Sequence, residues 1–258
     1  MSDVLEKVTD LLWEANLNRT RMPFVREFIA DDDVGSAYEI QRRIVQRKIA
    51  SGRRRVGRKV GLTNPRVQAR AGVDEPDYGT IMDDMVFRDG VVFAPGDYVK
   101  PKIEAEVAFV LKKDLHAWSI PAIEDAIDYI APAFELVDCH YENYGMKIVD
   151  TIADNAACAG VILGARQPYG KVDLREVRLS LTRDGEEITS GVGGNVMDGP
   201  VNAIAWLART ACEQDVPLRA GELLLTGSIG LIMDFDFGPL YRADITGVGS
   251  VTARFAEE

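Results

Sequence analysis

The stretch that most limits what this chain can become is PKIEAEVAFV, residues 101–110. Its apolar Ile103, Val107, Phe109 and Val110 predict a strand over 103–110, and the two-residue period of a strand then puts Glu104 and Glu106 on one face. Carboxylates two apart in a strand lie only about 7 Å from each other and repel unless a cation sits between them. Alternating charge on a half-exposed strand more commonly faces water, so the pair by itself leaves two readings open, a solvated face or part of a cation site.

The surroundings of that strand set the fold class. Val4, Leu5, Val8, Leu11, Leu12 and Ala15 recur at helical spacing over 2–17. Ala37, Tyr38, Ile40, Ile44, Val45 and Ile49 do so over 34–51, behind Asp31-Asp32-Asp33. Gly52 ends the second helix. A short strand follows in RRRVGRKVGLT (53–63), then two helical turns closed by Gly72, then GVDEPDYGT (72–80), a loop expected to carry function. Residues 86–93 read as a strand broken by an Asp89-Gly90 turn. A helix starts at Ser119 and carries Ile123, Ala126, Ile127 and Ile130. Strands are expected in APAFELVD (131–138) and AACAGVILG (156–164), and a hairpin around Arg183-Asp184-Gly185. Gly191, Gly193 and Gly194 mark a flexible loop before a helix at 201–214, and strands close the chain at 223–227, 240–247 and 250–255. This is α+β organisation, an N-terminal helical segment (1–51) and one β-rich body (52–258), without repeat or linker.

Composition removes several classes of function. With 41 acidic and 30 basic side chains the net charge is −11, which argues against nucleic acid or an anionic membrane as partner. The run Arg53, Arg54, Arg55, Arg58, Lys59 is the local exception. No apolar run approaches the roughly 20 residues of a membrane span, and the acidic MSDVLEKVTD is unlike a signal peptide, so a cytoplasmic protein is expected. Three scattered cysteines and two histidines, His116 and His140, do not readily build a zinc site or a Ser-His-Asp relay. His140 reads as incidental.

Carboxylates are what the chain has to work with, and Glu135 is the best third donor. It lies between Phe134 and Leu136, where an unpaired carboxylate is costly to bury. Three oxygen donors without nitrogen or sulfur select a hard ion, Mg²⁺, Mn²⁺ or Ca²⁺, and the first two would keep about three of six positions for water or substrate.

GRKVGLTNPRVQARAGVDEPDYGTIMDDM (57–85), PKIEAEVAFVL (101–111), APAFELVD (131–138), VDTIADNAACAGVILG (149–164) and LRAGELLLTGS (218–228) occur in this order and spacing. Together they closely resemble the 2-keto-4-pentenoate hydratase family of the fumarylacetoacetate hydrolase superfamily, which also includes the 4-oxalocrotonate decarboxylases. The resemblance implies a mixed β-sheet roll preceded by helices, and a Mg²⁺ or Mn²⁺ ion held by Glu104, Glu106 and Glu135. It implies catalytic roles for Lys59 and Asp77, and places Arg58, Thr63, Tyr78 and Ser228 near a small 2-oxo or 2-hydroxy-dienoate acid. As a strand neighbour of Lys59, Arg58 should face the opposite way. Asp154 and Asn155 either orient the metal shell or cap a turn. A homo-oligomer is implied too, with a pathway aldolase or decarboxylase as a possible associate.

The expected reaction is hydration, and decarboxylation of a 2-oxo-enedioate is the alternative. Hydrolysis of an acylpyruvate is weaker because no motif positions a histidine, and a non-catalytic scaffold would gain nothing from crowded negative charge. One departure stands out. Relatives usually carry Gly-His-Pro where this chain has Met197-Asp198-Gly199-Pro200, and SIGLIMDFDFGPL (228–240) is more polar than expected of its strand.

Overall fold

A computed structural model describes residues 2–71 and 73–257, so the helix-closing Gly72 lies outside the described residues. Two amphipathic helices come first, α1 (Ser2–Asn18) and α2 (Val34–Ala50). Asp33 starts the second by accepting the Ser36 N–H at 3.0 Å. Then follow β1 (Arg55–Gly61), α3 (Pro65–Ala71), β2 (Asp77–Met82), β3 (Val86–Arg88), β4 (Val91–Phe93), β5 (Lys102–Leu111), α4 (Ile120–Ala126), β6 (Ile127–Val137) and α5 (Ile148–Ala153). The rest comprises β7 (Cys158–Leu163), β8 (Gln167–Pro168), β9 (Arg178–Arg183), β10 (Glu186–Val192), α6 (Pro200–Glu213), β11 (Leu223–Leu225), β12 (Met233–Asp234), β13 (Tyr241–Ile245) and β14 (Gly249–Phe255).

Nine strands make the first sheet, in the order β2-β1-β11-β5-β6-β7-β3 with β12 beside β5 and β8 beside β6. The other five make the second, β10-β9-β13-β14-β4. Pairing is mixed, since β1 runs parallel to β11 and β3 to β7 while β5 and β6 are antiparallel. One core joins the two sheets: Ile103, Val107, Phe109 and Phe134 from the first, Leu181, Val251 and Phe255 from the second, with Ile204 and Leu207 of α6. Each such side chain contributes roughly 1.5–3 kcal/mol on burial. A smaller cluster ties α1 and α2 to α5 through Leu12, Ile40, Ile44, Val149 and Ile152. On the far face of the first sheet, Ile81, Ala108, Ala133, Val161 and Leu225 form a third. That face is where the alternation of β5 sends Glu104 and Glu106.

Several elements differ from their sequence patterns, each for a reason of pairing. The helix begun near Ser119 stops at Ala126, because Ile127 and Ile130 pair with Leu111 and Phe109 of β5 and extend β6. Residues 86–93 are not one strand interrupted at Asp89-Gly90 but two strands in different sheets. The turn carries the chain from the first sheet, where β3 pairs β7, to the second, where β4 pairs β14. Of the expected loop at 72–80, the part from Asp77 is strand, with Asp77 opposite Gly61 and Gly79 opposite Lys59. Gly191 belongs to β10, and Gly193–Asn195 is one 3₁₀ turn. The basic run is largely matched by carboxylates, Arg53 by Asp84, Arg54 by Asp83 and Arg55 by Glu222, each at 3.1 Å. Among the described residues no helix is long and apolar enough to cross a membrane.

Candidate metal centre

In the β5–β6 pair Glu104 stands directly opposite Glu135. Oxygens of Glu104, Glu106 and Glu135 all lie within 4.8 Å of one another. Glu106 and Glu135 are fully buried at 0% exposure. Glu106 Oε2 accepts the Gly227 N–H at 2.8 Å, but Glu106 Oε1 and both oxygens of Glu135 have no hydrogen-bond partner. Three such acceptors out of water are expensive unless a cation meets them, and an all-oxygen donor set suits a hard divalent ion. The residues present therefore fit a bound divalent cation.

The electrostatics agree. Burial, and then the charge of Glu135, pushes the Glu104 carboxyl up to about 7. Burial, followed by Glu135 and Glu104, raises Glu106 well above the ordinary carboxylate range. On β1, Lys59 Nζ lies 3.4 Å from Glu135 Oε1. Burial is the largest single influence on Lys59 and works against the ammonium, yet Glu135 and Asp77 together outweigh it and raise its pKa. Asp77 is pushed up to about 6 by burial, partly offset by Lys59, and neither of its oxygens has a hydrogen-bond partner. Lys59 and Asp77 converge over Gly61, where a Cβ would sit 2.2 Å from Asp77 Oδ1 and 2.9 Å from Lys59 Nζ. Only glycine leaves room for that meeting.

The remaining sequence candidates divide into two groups. Ser228 follows Gly227, whose N–H binds Glu106, and its Oγ is buried without a partner. Thr63 packs its hydroxyl against Gly227 and accepts the Met197 N–H at 3.1 Å through its carbonyl. Arg58 and Tyr78 point away from the carboxylates, into a cleft of about 590 Å³ between α2 and the β1–β2 edge. There Arg58 donates to the Val216 carbonyl at 2.7 Å, and Tyr78 stacks on Tyr38 with centroids 4.5 Å apart. His140 stands apart from the three carboxylates in a pair with Asp154: its Nδ1 meets that carboxylate at 2.9 Å and its backbone N–H donates to the same group at 2.8 Å. Asp198, at the departure before α6, is exposed and paired with Arg175 at 2.7 Å.

Two contributors were not foreseen from sequence. The Gly227 N–H is a backbone group and leaves no side-chain signature. Cys158 lies beside Glu135, its thiol raised by burial and then by that carboxylate, and it looked like one more scattered cysteine.

Residues 58–256 match the family described as fumarylacetoacetate (FAA) hydrolase C-terminal. The chain is 40% identical over 254 residues to the 2-keto-4-pentenoate hydratase of Paraburkholderia xenovorans, covering 97% of this chain and 94% of that one. It is 38% identical over 256 residues to the TodF product hydratase of Pseudomonas putida, covering 98% and 96%. Its fold matches the 4-oxalocrotonate decarboxylase from Pseudomonas putida G7, complexed with magnesium and adipate, with a TM-score of 0.93 at 32% identity over 98% of this chain and 97% of that one.

Proposed function

The chain belongs to the fumarylacetoacetate hydrolase C-terminal family, and from that premise we propose that it is a divalent-metal hydratase converting a 2-hydroxy-2,4-dienoate into a 4-hydroxy-2-oxo acid. The observation that carries this reading is the cluster of Glu104, Glu106 and Glu135, the last two fully buried with unpaired oxygens, in a chain whose relatives over nearly full length are named hydratases. Those three residues would hold Mg²⁺ or Mn²⁺, which when bound supplies positive charge to chelate the carboxylate and C2 oxygen of a 2-oxo acid and to draw electron density from its conjugated chain.

The protein's own groups then handle protons. Ketonisation of the dienol moves a proton from the C2 hydroxyl to C5, and hydration adds the hydroxyl of water at C4 while the proton that water loses ends on C3. Asp77, pushed up to about 6, exchanges protons close to neutral pH and is assigned both transfers. Lys59, held as an ammonium between Glu135 and Asp77, steadies negative charge on the substrate oxygen. Ser228 and Thr63 border the site and orient the acid. Arg58 and Tyr78, on the far side of the same strands, support β1 and β2 from behind. We assign the reaction to meta-cleavage breakdown of aromatic compounds in the cytoplasm, carried out by a homo-oligomer whose 4-hydroxy-2-oxo product suits an aldolase.

The solved decarboxylase with the same fold favours a second reading, loss of CO₂ from a 2-oxo-enedioate through the same dienolate. Incubation with Mn²⁺ and either 2-hydroxypenta-2,4-dienoate or 4-oxalocrotonate separates them. Disappearance of the dienol with formation of the hydroxy acid is expected; release of CO₂ without a hydroxy product would establish the decarboxylase instead.

A further inference from the structure

Behind the strand that carries Asp77 stands a turn of unusual hand. Asn155, Ala156 and Ala157 have φ of 57°, 53° and 55°, three successive L-residues in a conformation that asparagine tolerates but that disfavours both alanines and persists only where surrounding contacts enforce it. Those contacts are specific. Asn155 Oδ1 accepts the Thr80 N–H at 2.8 Å, while its Nδ2 donates to the carbonyls of Thr80 at 2.9 Å and Cys158 at 3.2 Å. Since β2 is the outermost strand of its sheet, this one amide supplies the donor and acceptor that a neighbouring strand would otherwise present. The Asn155 carbonyl also lies so close over Gly79 that a Cβ there would be 2.3 Å from it. Gly79 and Asp77 share a face of β2.

The turn is anchored on both sides. Asp154, just before it, holds His140 through the backbone N–H and Nδ1. Ala157, its last residue, accepts the Asp138 N–H at 3.0 Å. Cys158 follows directly and lies beside Glu135. The strained segment thus touches the strand of Asp77 on one side and the surroundings of a carboxylate of the cluster on the other.

We propose that the left-handed turn 155–157 is the device that seats β2, with Asn155 as a positioning residue that keeps Asp77 against Lys59. The kinetic consequence rests on the hydratase reading; the mechanical one rests on the contacts alone.

Asn155→Gly tests it, because glycine tolerates the left-handed backbone and only the amide is lost. Amide hydrogen exchange across residues 77–82 should quicken by about tenfold or more, with residues 102–111 unchanged. In the same variant kcat should fall by about tenfold or more, with KM and Mn²⁺ affinity within about twofold of wild type. Asn155→Asp keeps the acceptor for the Thr80 N–H and opposes the Thr80 carbonyl with a second acceptor, so it answers the same questions should the glycine variant fail to fold. Unchanged exchange at 77–82, or wild-type kcat in a variant whose exchange has quickened, would overturn the proposal. A wild-type protein without hydratase activity would remove the functional reading, and the exchange data would still decide whether Asn155 seats the strand.

Discussion

Glu106 burdens the fold and serves the site for the same reason. It is fully buried with Oε1 unpaired and two carboxylates close by, so in the metal-free protein it opposes folding. Glu106→Gln, which can still accept the Gly227 N–H, should raise metal-free stability by about 1–2 kcal/mol and lose most of the stabilisation Mn²⁺ gives the wild type. Thermal unfolding with and without the ion shows both. Lys59→Met should do the reverse, costing roughly 3–5 kcal/mol because Glu135 and Asp77 lose their cation. Chemical denaturation measures that loss, and a stability equal to wild type would contradict the ion pair. Asp77→Asn should fold and bind metal, with kcat lowered about 10²- to 10⁴-fold in a hydratase assay. The two-residue period put Glu104 and Glu106 on one face and turned Arg58 away from Lys59, and the apolar flanks of Glu135 marked it as a third donor, whereas Lys59 and Asp77 stood out only through the family resemblance. The amide donor of Gly227 was not legible, since any residue but proline supplies one.

At the scale of elements, the segment between β6 and β7 is held by the His140–Asp154 pair. Burial is the largest influence on His140 and lowers its pKa, but the charge and hydrogen bonds of Asp154 overcome this and raise it above 6.5. Its contribution to stability is complete below 6.5 and is lost as pH climbs through the folded value. Burial likewise works against the Asp154 carboxylate, His140 outweighs it, and the pKa falls below 3.8. That contribution is complete above 3.8 and is lost as pH drops through the folded value. The pair therefore acts in full between 3.8 and 6.5. The melting-temperature gap between wild type and His140→Gln should be widest in that window and should narrow as pH rises through the folded value of His140; a constant gap would deny the pair its charge. No local pattern signals this pair, because His140 and Asp154 meet only once the chain has folded between them. Nor does one show that α4 ends at Ala126, since Ile123, Ala126, Ile127 and Ile130 satisfy helical spacing until β5 offers Ile127 a partner.

At the scale of the molecule, the carboxylates on β5 and β6 and the Lys59–Asp77 pair on β1 and β2 gather on one face of the first sheet, so an ion there braces its middle. An ion at one hundred times its Kd should add about 2.7 kcal/mol, roughly 5–10 °C in Tm for a domain of this size. The α+β class and helices-first order were readable because long amphipathic patterns at 2–17 and 34–51 give way to period-two segments. The exchange between sheets at Asp89-Gly90 was not, because a turn sequence does not state which sheet its flanking strands join. What decides the account is a calorimetric titration of Mn²⁺ into metal-stripped wild type and Glu135→Gln. Saturation near one ion per chain in the wild type, with affinity lowered about a hundredfold or more in the variant, is the predicted result. No saturable uptake, or equal affinity in the two proteins, would contradict it.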